Sequence, residues 1–274
     1  MTIDILICTI NEGIQKVPSV LMPPMEGVRY VVCMQYTDEA ALEKVPMKMM
    51  IRKDVKLYVH EGCGLSKNRN FALEWAEADI IVIADDDNRY QPEYIERIRN
   101  AYAANPDADI ICFAAESYEG KPMKVYPQAK MPYTEAFKRG YYPTSMEITM
   151  KKGVDVKFDE RFGLGSETLC AGEEAVFLKD CIDNGYNALF CPDVIVRSEF
   201  DTTGSHFADN KKMQMSKGAT FAYLFGKPNA IYRSVKESLW WMLHKGCNPI
   251  PILYNMVKGV KWIKLRGERL EVRG

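Results

Sequence analysis

Over the first two hundred residues, short apolar runs alternate with stretches whose apolar positions recur every three or four residues. IDILICTI (3–10), VRYVVCM (28–34) and KLYV (56–59) are β-rich runs, the pattern expected of strands covered on both faces. SKNRNFALEWAEA (66–78) places Phe71, Ala72, Trp75 and Ala76 on one helical face, with Ser66 positioned to cap the free amides of the first turn. DIIVIA (79–84) is a further buried-strand run and ends abruptly in Asp85, Asp86 and Asp87. A helix over 91–104 and a strand over 109–115 continue the alternation. Such a β-α-β-α-β order predicts a mainly parallel central sheet flanked by helices.

The second half is less regular. Residues 118–150 are rich in Tyr, Pro, Met and Lys, and only TSMEITM (144–150) reads as a strand, with a turn at Lys152 and Gly153. A Gly-rich loop, FGLGSETLCAGEE (162–174), enters a helix that stops at Gly185, and ALFCPDVIV (188–196) is another strand. Beyond about residue 208 the pattern is helical to the end. The expected organisation is an α/β catalytic domain over 1–206 and a helical basic C-terminal extension over 207–274.

Composition narrows the class. At 274 residues, 47% apolar, the chain has ample material for a core. No apolar run approaches the ~20 residues of a membrane-spanning helix. The N-terminus lacks a basic leader and a small-residue cleavage site, so it reads as the first strand and not as a signal peptide. The eight cysteines form no CxxC pair, which points to free buried thiols in a reducing, cytoplasmic compartment. The formal net charge of −1 conceals a split: residues 207–274 carry 13 Lys and Arg against 4 Asp and Glu, a net +9, and residues 1–206 a net −10. A basic extension on an acidic body suggests an anionic partner surface. In PIPILYNMVKGVKWIKLRG, the apolar stripe Leu253, Met256, Val257, Val260 and Ile263 with its lysine face and nearby Trp240, Trp241 and Trp262 fits either an anionic membrane interface or a core-facing helix. Nucleic acid is the poorer partner, since no binding motif accompanies the charge.

Candidate chemistry centres on carboxylates. Three adjacent aspartates closing a buried strand repel one another and lose hydration, so something must compensate them. Ligands of parallel α/β sheets bind beyond the carboxyl ends of the strands, where this triad falls, and hard cations such as Mg²⁺ or Mn²⁺ choose oxygen ligands. Helix-capping by Asp87 or Asn88 is the structural alternative. Glu173 and Glu174 open a helix after Gly172, where the macrodipole favours acids, and one of them is also suited to act as a general base. The glycines in Phe162-Gly163-Leu164-Gly165 allow close backbone approach to a substrate.

The segment Gly64-Leu65-Ser66-Lys67-Asn68-Arg69-Asn70, followed by a helix, a buried strand and Asp85-Asp86-Asp87, resembles the central signature of family 2 glycosyltransferases of GT-A fold. Thr9-Ile10-Asn11-Glu12 matches their strand-end segment, and Gly172-Glu173-Glu174 their late acidic pair; order and spacing agree over roughly residues 3–200. The resemblance implies an inverting transfer from a nucleotide-sugar donor to an acceptor hydroxyl, in polysaccharide or glycolipid synthesis. It implies that Asp85 contacts ribose or donor sugar, that Asp87 binds a metal on the diphosphate, and that Asp86 supports either. Glu174 would be the base, Glu173 a contact to acceptor or donor hydroxyls, Thr9, Asn11 and Glu12 the lining of the nucleotide pocket, and Arg69 its neighbour. Asp85 and His206 are further candidate metal ligands. The family's base-reading Asp-Asp-Gly-Ser segment is absent: the second strand ends in Gln35-Tyr36-Thr37-Asp38, so Gln35 is the candidate for the base, with UDP expected ahead of GDP or dTDP. Glu174 stands where the family usually has Asp, one methylene shorter. The acceptor is expected to be a glycan or lipid-linked glycan at the cytoplasmic face of a membrane. A nucleotidyltransferase and an inactive sugar-binding protein of the same fold are the rival readings; a dehydrogenase is disfavoured because GxGxxG is absent after the first strand.

Overall fold

A computed structural model describes residues 1–199 and 207–263. Its elements in chain order are β1 (Ile3–Ile10), β2 (Val28–Tyr36), α1 (Met47–Met50), β3 (Val55–Glu61), α2 (Leu65–Glu74), β4 (Ile80–Asp85), α3 (Pro92–Ala104), β5 (Ile110–Ser117), β6 (Met131–Pro132), α4 (Tyr133–Lys138), β7 (Ile148–Lys151), α5 (Glu173–Asp183) and β8 (Ala188–Ser198), then α6 (Lys211–Phe225), α7 (Lys227–Lys245) and α8 (Pro249–Trp262). The eight strands form one sheet of order β3-β2-β1-β4-β7-β5-β8-β6. β1, β2, β3 and β4 are mutually parallel, as are β5 and β8; β7 runs antiparallel between β4 and β5, and the short β6 antiparallel on β8. The fold is α/β with a mainly parallel sheet flanked by helices, as expected.

The chain divides into two compact units, Met1–Phe158 with Phe177–Asp201, and Asp159–Val176 with Thr202–Gly274. In the first, the continuous apolar strands follow from burial of both sheet faces. Alternate residues go to opposite sides: Ile3, Ile5, Ile7, Tyr30, Val82 and Ala84 pack with Tyr94, Ile95, Ile98 and Tyr102 of α3. Leu6, Cys8, Val31, Cys33, Ile81 and Ile83 pack with Ala72 of α2 and with Phe177, Leu178 and Cys181 of α5. Asp4, buried among these strands, accepts two bonds from Arg29, at 2.8 and 2.6 Å, and two from the amides of Glu77 and Ala78. It thereby ties the starts of β1 and β2 to the turn before β4. Burial alone would raise its carboxyl pKa, but the bonds from Arg29 and the two amides outweigh burial and hold it below the ordinary value.

Two local expectations change. α2 begins at Leu65 with Gly64 as its N-cap at φ 125°, so Ser66 lies inside the first turn and is not the cap; only glycine takes that backbone conformation without strain. β7 starts at Ile148, because Ser145–Glu147 forms a single 3₁₀ turn ahead of it.

The second unit is built on α6, α7 and α8. Gly218 and Gly259 set the approach of α6 and α8: a Cβ on Gly218 would lie 2.0 Å from the Met256 carbonyl oxygen, and one on Gly259 1.9 Å from that of Met215. Ile252, Met256, Val260 and Ile263 are buried in this unit's cores. The stripe that fitted either a membrane or a core therefore faces inward at Met256, Val260 and Ile263, with Leu253 and Val257 half-buried. No helix among the described residues is long and apolar enough to cross a membrane.

Candidate active site

β1 is flanked by β2 on one side and β4 on the other, so the chain reverses its direction of travel across the sheet between them. That reversal opens a crevice beyond the carboxyl ends of β1 and β4, the usual ligand position in such sheets. Thr9 to Glu12 leave β1 there, Gln35 ends β2, and Asp85–Asp87 close β4.

Asn11 has φ 49°, the one positive value for a non-glycine among the described residues. Asparagine tolerates this region because its short side chain bonds locally. Here its Oδ1 accepts from the Thr37 amide at 2.9 Å and its Nδ2 donates to Thr37 Oγ1 at 3.0 Å, joining the loops after β1 and β2. Gln35 is buried, and Glu12 is exposed. Asn68, inside α2, donates to the Thr9 and Cys33 carbonyls at 3.1 and 2.9 Å, and its Oδ1 meets His60 Nε2 at 3.1 Å. The helix of the Gly64–Asn70 segment is thus bolted to the ends of β1 and β2.

Each aspartate has its own partners. Asp85 Oδ1 accepts from Arg69 Nη2 at 3.2 Å and Oδ2 from Ser145 Oγ at 2.8 Å. Arg69 is 1% exposed, with its guanidinium 5.5 Å from the Phe158 ring centroid. Asp86 Oδ2 accepts from Thr9 Oγ1 at 2.6 Å, and Lys16 Nζ lies 4.0 Å from its Oδ1. A Cβ on Gly13 would come within 2.3 Å of Asp86 Oδ2 and 2.4 Å of Thr9 Oγ1, so this corner requires glycine. Asp87 Oδ1 accepts from Ser198 Oγ at 3.0 Å and Asn88 Nδ2 at 3.2 Å, while Arg89 Nη1 and the Tyr118 hydroxyl donate to the Asp87 carbonyl.

These bonds do not neutralise the cluster. Burial raises the Asp86 carboxyl pKa above its ordinary value despite the Thr9 bond and Lys16, with Asp85 and Asp87 pushing the same way. Burial likewise raises Asp87 against the Ser198 bond, helped by the charges of Asp85 and Glu199. The corner holds excess negative charge that a cation or a protonated partner would relieve.

The other acidic pair opens α5 in the second unit. Gly172, at φ 99°, precedes it, and a Cβ there would lie 2.1 Å from Thr220 Oγ1 on α6. Glu173 is buried and Glu174 half-buried. The structure therefore gathers Thr9, Arg69, Asp85, Asp86 and Asp87 at one strand-end corner, with Asn11 and Gln35 at the ends of β1 and β2. Glu173 and Glu174 belong to the other unit. His206 lies outside the described residues. Sequence reasoning missed Ser145, Ser198 and Lys16; the helix-capping alternative for Asp87 and Asn88 is not met, since Gln91 is the N-cap of α3 and Asn88 Oδ1 instead accepts from the Asp85 amide at 2.9 Å. The Thr144-to-Glu147 turn was the one signal within reach for Ser145; nothing local marks Ser198, which meets Asp87 from 111 positions away.

The acidic corner lies at the reversal point of the α/β sheet, where such sheets place their ligands. Residues 36–163 match the sequence model described as Glycosyl transferase family 2. The glucosyl-dolichyl phosphate glucuronosyltransferase of Haloferax volcanii is 27% identical over 114 residues, covering 39% of this chain and 36% of that protein, so the chain spans about a third of the curated relative it matches. Crystal structures of S. aureus TarS 1–349 share the fold: one superposes with a TM-score of 0.59 at 17% identity over 95% of this chain and 81% of the other. Its complex with UDP-GlcNAc gives 0.58 at 17% identity, over 95% and 82%. The match to that family model covers a little under half of the chain, and the fold is of the GT-A type.

Proposed function

We propose that the chain is an inverting glycosyltransferase that moves a sugar from a nucleotide-diphosphate sugar, a UDP-sugar first, to an acceptor hydroxyl of a glycan or lipid-linked glycan. The observation that carries this reading is the un-neutralised acidic corner at the sheet's reversal point, within the segment that matches family 2. The UDP-GlcNAc complex of a protein sharing the fold supports the donor class. The lipid-linked substrate in the name of the Haloferax volcanii relative supports the acceptor class; we propose that this work is done at the cytoplasmic face of a membrane.

A divalent cation, Mg²⁺ or Mn²⁺, fits the donor set. Among the described residues no three His, Cys, Asp or Glu side chains form a ready-made metal cage, but these ions are commonly held by one or two carboxylates plus substrate phosphates. Asp87 and Asp85 would hold it, with His206 a further candidate ligand, and it would supply Lewis-acid stabilisation of the departing diphosphate.

Arg69 and Ser145 fix the Asp85 carboxylate for the ribose or donor sugar, and Thr9 fixes Asp86. Asn11 and Glu12 line the nucleotide pocket, and Gln35 supplies amide bonds to the base. Glu174 takes the proton of the acceptor hydroxyl. As that O–H bond breaks, the oxygen's electron pair attacks the anomeric carbon from the face opposite the diphosphate, whose C–O bond breaks with its electrons to phosphate. A single in-line displacement inverts the anomeric centre. Glu173 orients acceptor or donor hydroxyls.

The test is a panel of UDP-, GDP- and dTDP-sugars, scored by Mn²⁺-dependent thermal shift and then by transfer and hydrolysis. Asp87→Ala removes the Mn²⁺-dependent part of the shift. Glu174→Gln keeps the donor-induced shift and lowers turnover by about 10³-fold or more, within the range that positioned bases contribute. Wild-type turnover in Glu174→Gln overturns the base assignment. A wild-type chain stabilised by a donor yet inert with every acceptor favours a sugar-binding protein instead.

A further inference from the structure

Helix α7 turns most of its large apolar side chains away from its own unit. Its fully buried positions are small, Ala230, Ser234 and Ser238, four apart, and beside them half-buried Trp241 stacks on Phe207. The two serines return their hydroxyls to the helix backbone, to the Ala230 and Val235 carbonyls at 2.7 and 2.9 Å. Ile231, Tyr232, Val235, Leu239, Met242 and Leu243 are all exposed, Tyr232 at 70% and Leu243 at 74%. At the α-helical rotation per residue these six occupy an arc of about 120°, as wide as the stripe by which a surface helix normally meets a core.

Charge identifies what such a face meets. Lys236 borders the arc on one side and Lys245 on the other, both exposed. Across α7 and α8 there are six Lys and Arg and a single acid, Glu237. That acid is already engaged, by Lys217 Nζ at 2.6 Å and Trp241 Nε1 at 3.0 Å. A second copy of this face would bring like charges together with no acid on either helix left to offset them. An anionic lipid surface takes both features at once, an apolar arc at the acyl boundary and cations at the phosphates.

We propose that α7 is a lipid-surface helix, lying in the plane of an anionic membrane with Ile231, Tyr232, Val235, Leu239, Met242 and Leu243 below the headgroups and Lys236 and Lys245 among them. This deepens the peripheral-membrane part of the proposed function and rests on it. It also moves the contact from the stripe of α8, which is internal, to a face on the preceding helix.

The full chain is sedimented with vesicles of phosphatidylcholine alone and of phosphatidylcholine doped with phosphatidylglycerol. The wild type is expected to partition to the doped vesicles. Leu239→Gln with Leu243→Gln lowers the partition coefficient by about tenfold or more, and Lys236→Ala by about fivefold, with helicity and melting temperature unchanged because all three positions are exposed. Binding that persists undiminished in these variants overturns the α7 face while leaving peripheral attachment standing. Failure of the wild type to bind doped vesicles overturns both. Failure of vesicle binding together with a concentration-dependent dimer that the double variant dissolves assigns the face to a second copy and overturns the proposal.

Discussion

The sheet unit and the helical unit reach compactness by opposite means. In the first, both faces of the sheet are apolar and the polar groups gather at strand ends, where side chains from distant elements satisfy them one by one. In the second, glycines at 218 and 259 bring α6 and α8 close, and the small residues of α7 face inward. The first arrangement concentrates unmet charge at one corner. The second leaves the large apolar side chains of one α7 face out toward solvent. The proposed charged-ligand site and the proposed lipid face thus arise from two ways of filling space.

The sharpest way to break the contrast is to add volume where the helices cross. Gly259→Val forces a side chain into the Met215 carbonyl and should destabilise the helical unit by about 3 kcal/mol or more, visible as an early unfolding transition separate from that of the sheet.

Next in size is Asp4→Asn, which leaves Arg29 and two amides without their carboxylate and should cost about 2 kcal/mol at neutral pH. Because folding lowers the Asp4 pKa, its contribution is present above the unfolded value, near 3.8, and fades as pH falls through the lower folded value. Denaturant titrations of wild type and variant should therefore converge in acid. A gap that stays constant with pH would assign the loss to packing alone.

The smallest effect has the opposite sign. Folding raises the Asp86 pKa, so its carboxyl favours the folded state only below the unfolded value, and that advantage is lost as pH rises through the folded one. Asp86→Asn keeps an acceptor for Thr9 and removes the charge. It should raise the ligand-free melting temperature by about 2 °C at pH 7 and leave it unchanged at pH 3.

The sheet was legible because burial on both faces leaves uninterrupted apolar runs, and β1, β2 and β4 carry such runs. The acidic corner was legible for the same reason: Asp85–Asp87 interrupt a run that otherwise predicts strand. What holds each aspartate was not. Ser145 and Ser198 approach from the 3₁₀ turn before β7 and from the end of β8, 60 and 111 positions along the chain from the aspartates they meet. α2 was placed, but its start was misjudged, since a serine in the right place looks like a cap and the backbone angle of Gly64 leaves no local trace. The α8 stripe was visible as a stripe, but periodicity alone cannot say on which side a core lies. The glycines of α6 and α8, facing each other's backbones, decide it.

Seven of the eight thiols are buried or partly covered, and burial pushes Cys8 up to about 12 and Cys191 to about 11; Cys63 alone is exposed, between Gly62 and Gly64 at the entry to α2. A maleimide dye would therefore mark that place ahead of the half-buried Cys170 and Cys247 without any engineering. That place adjoins the helix carrying Arg69, so under the proposed function its fluorescence would report donor arrival in the native sequence.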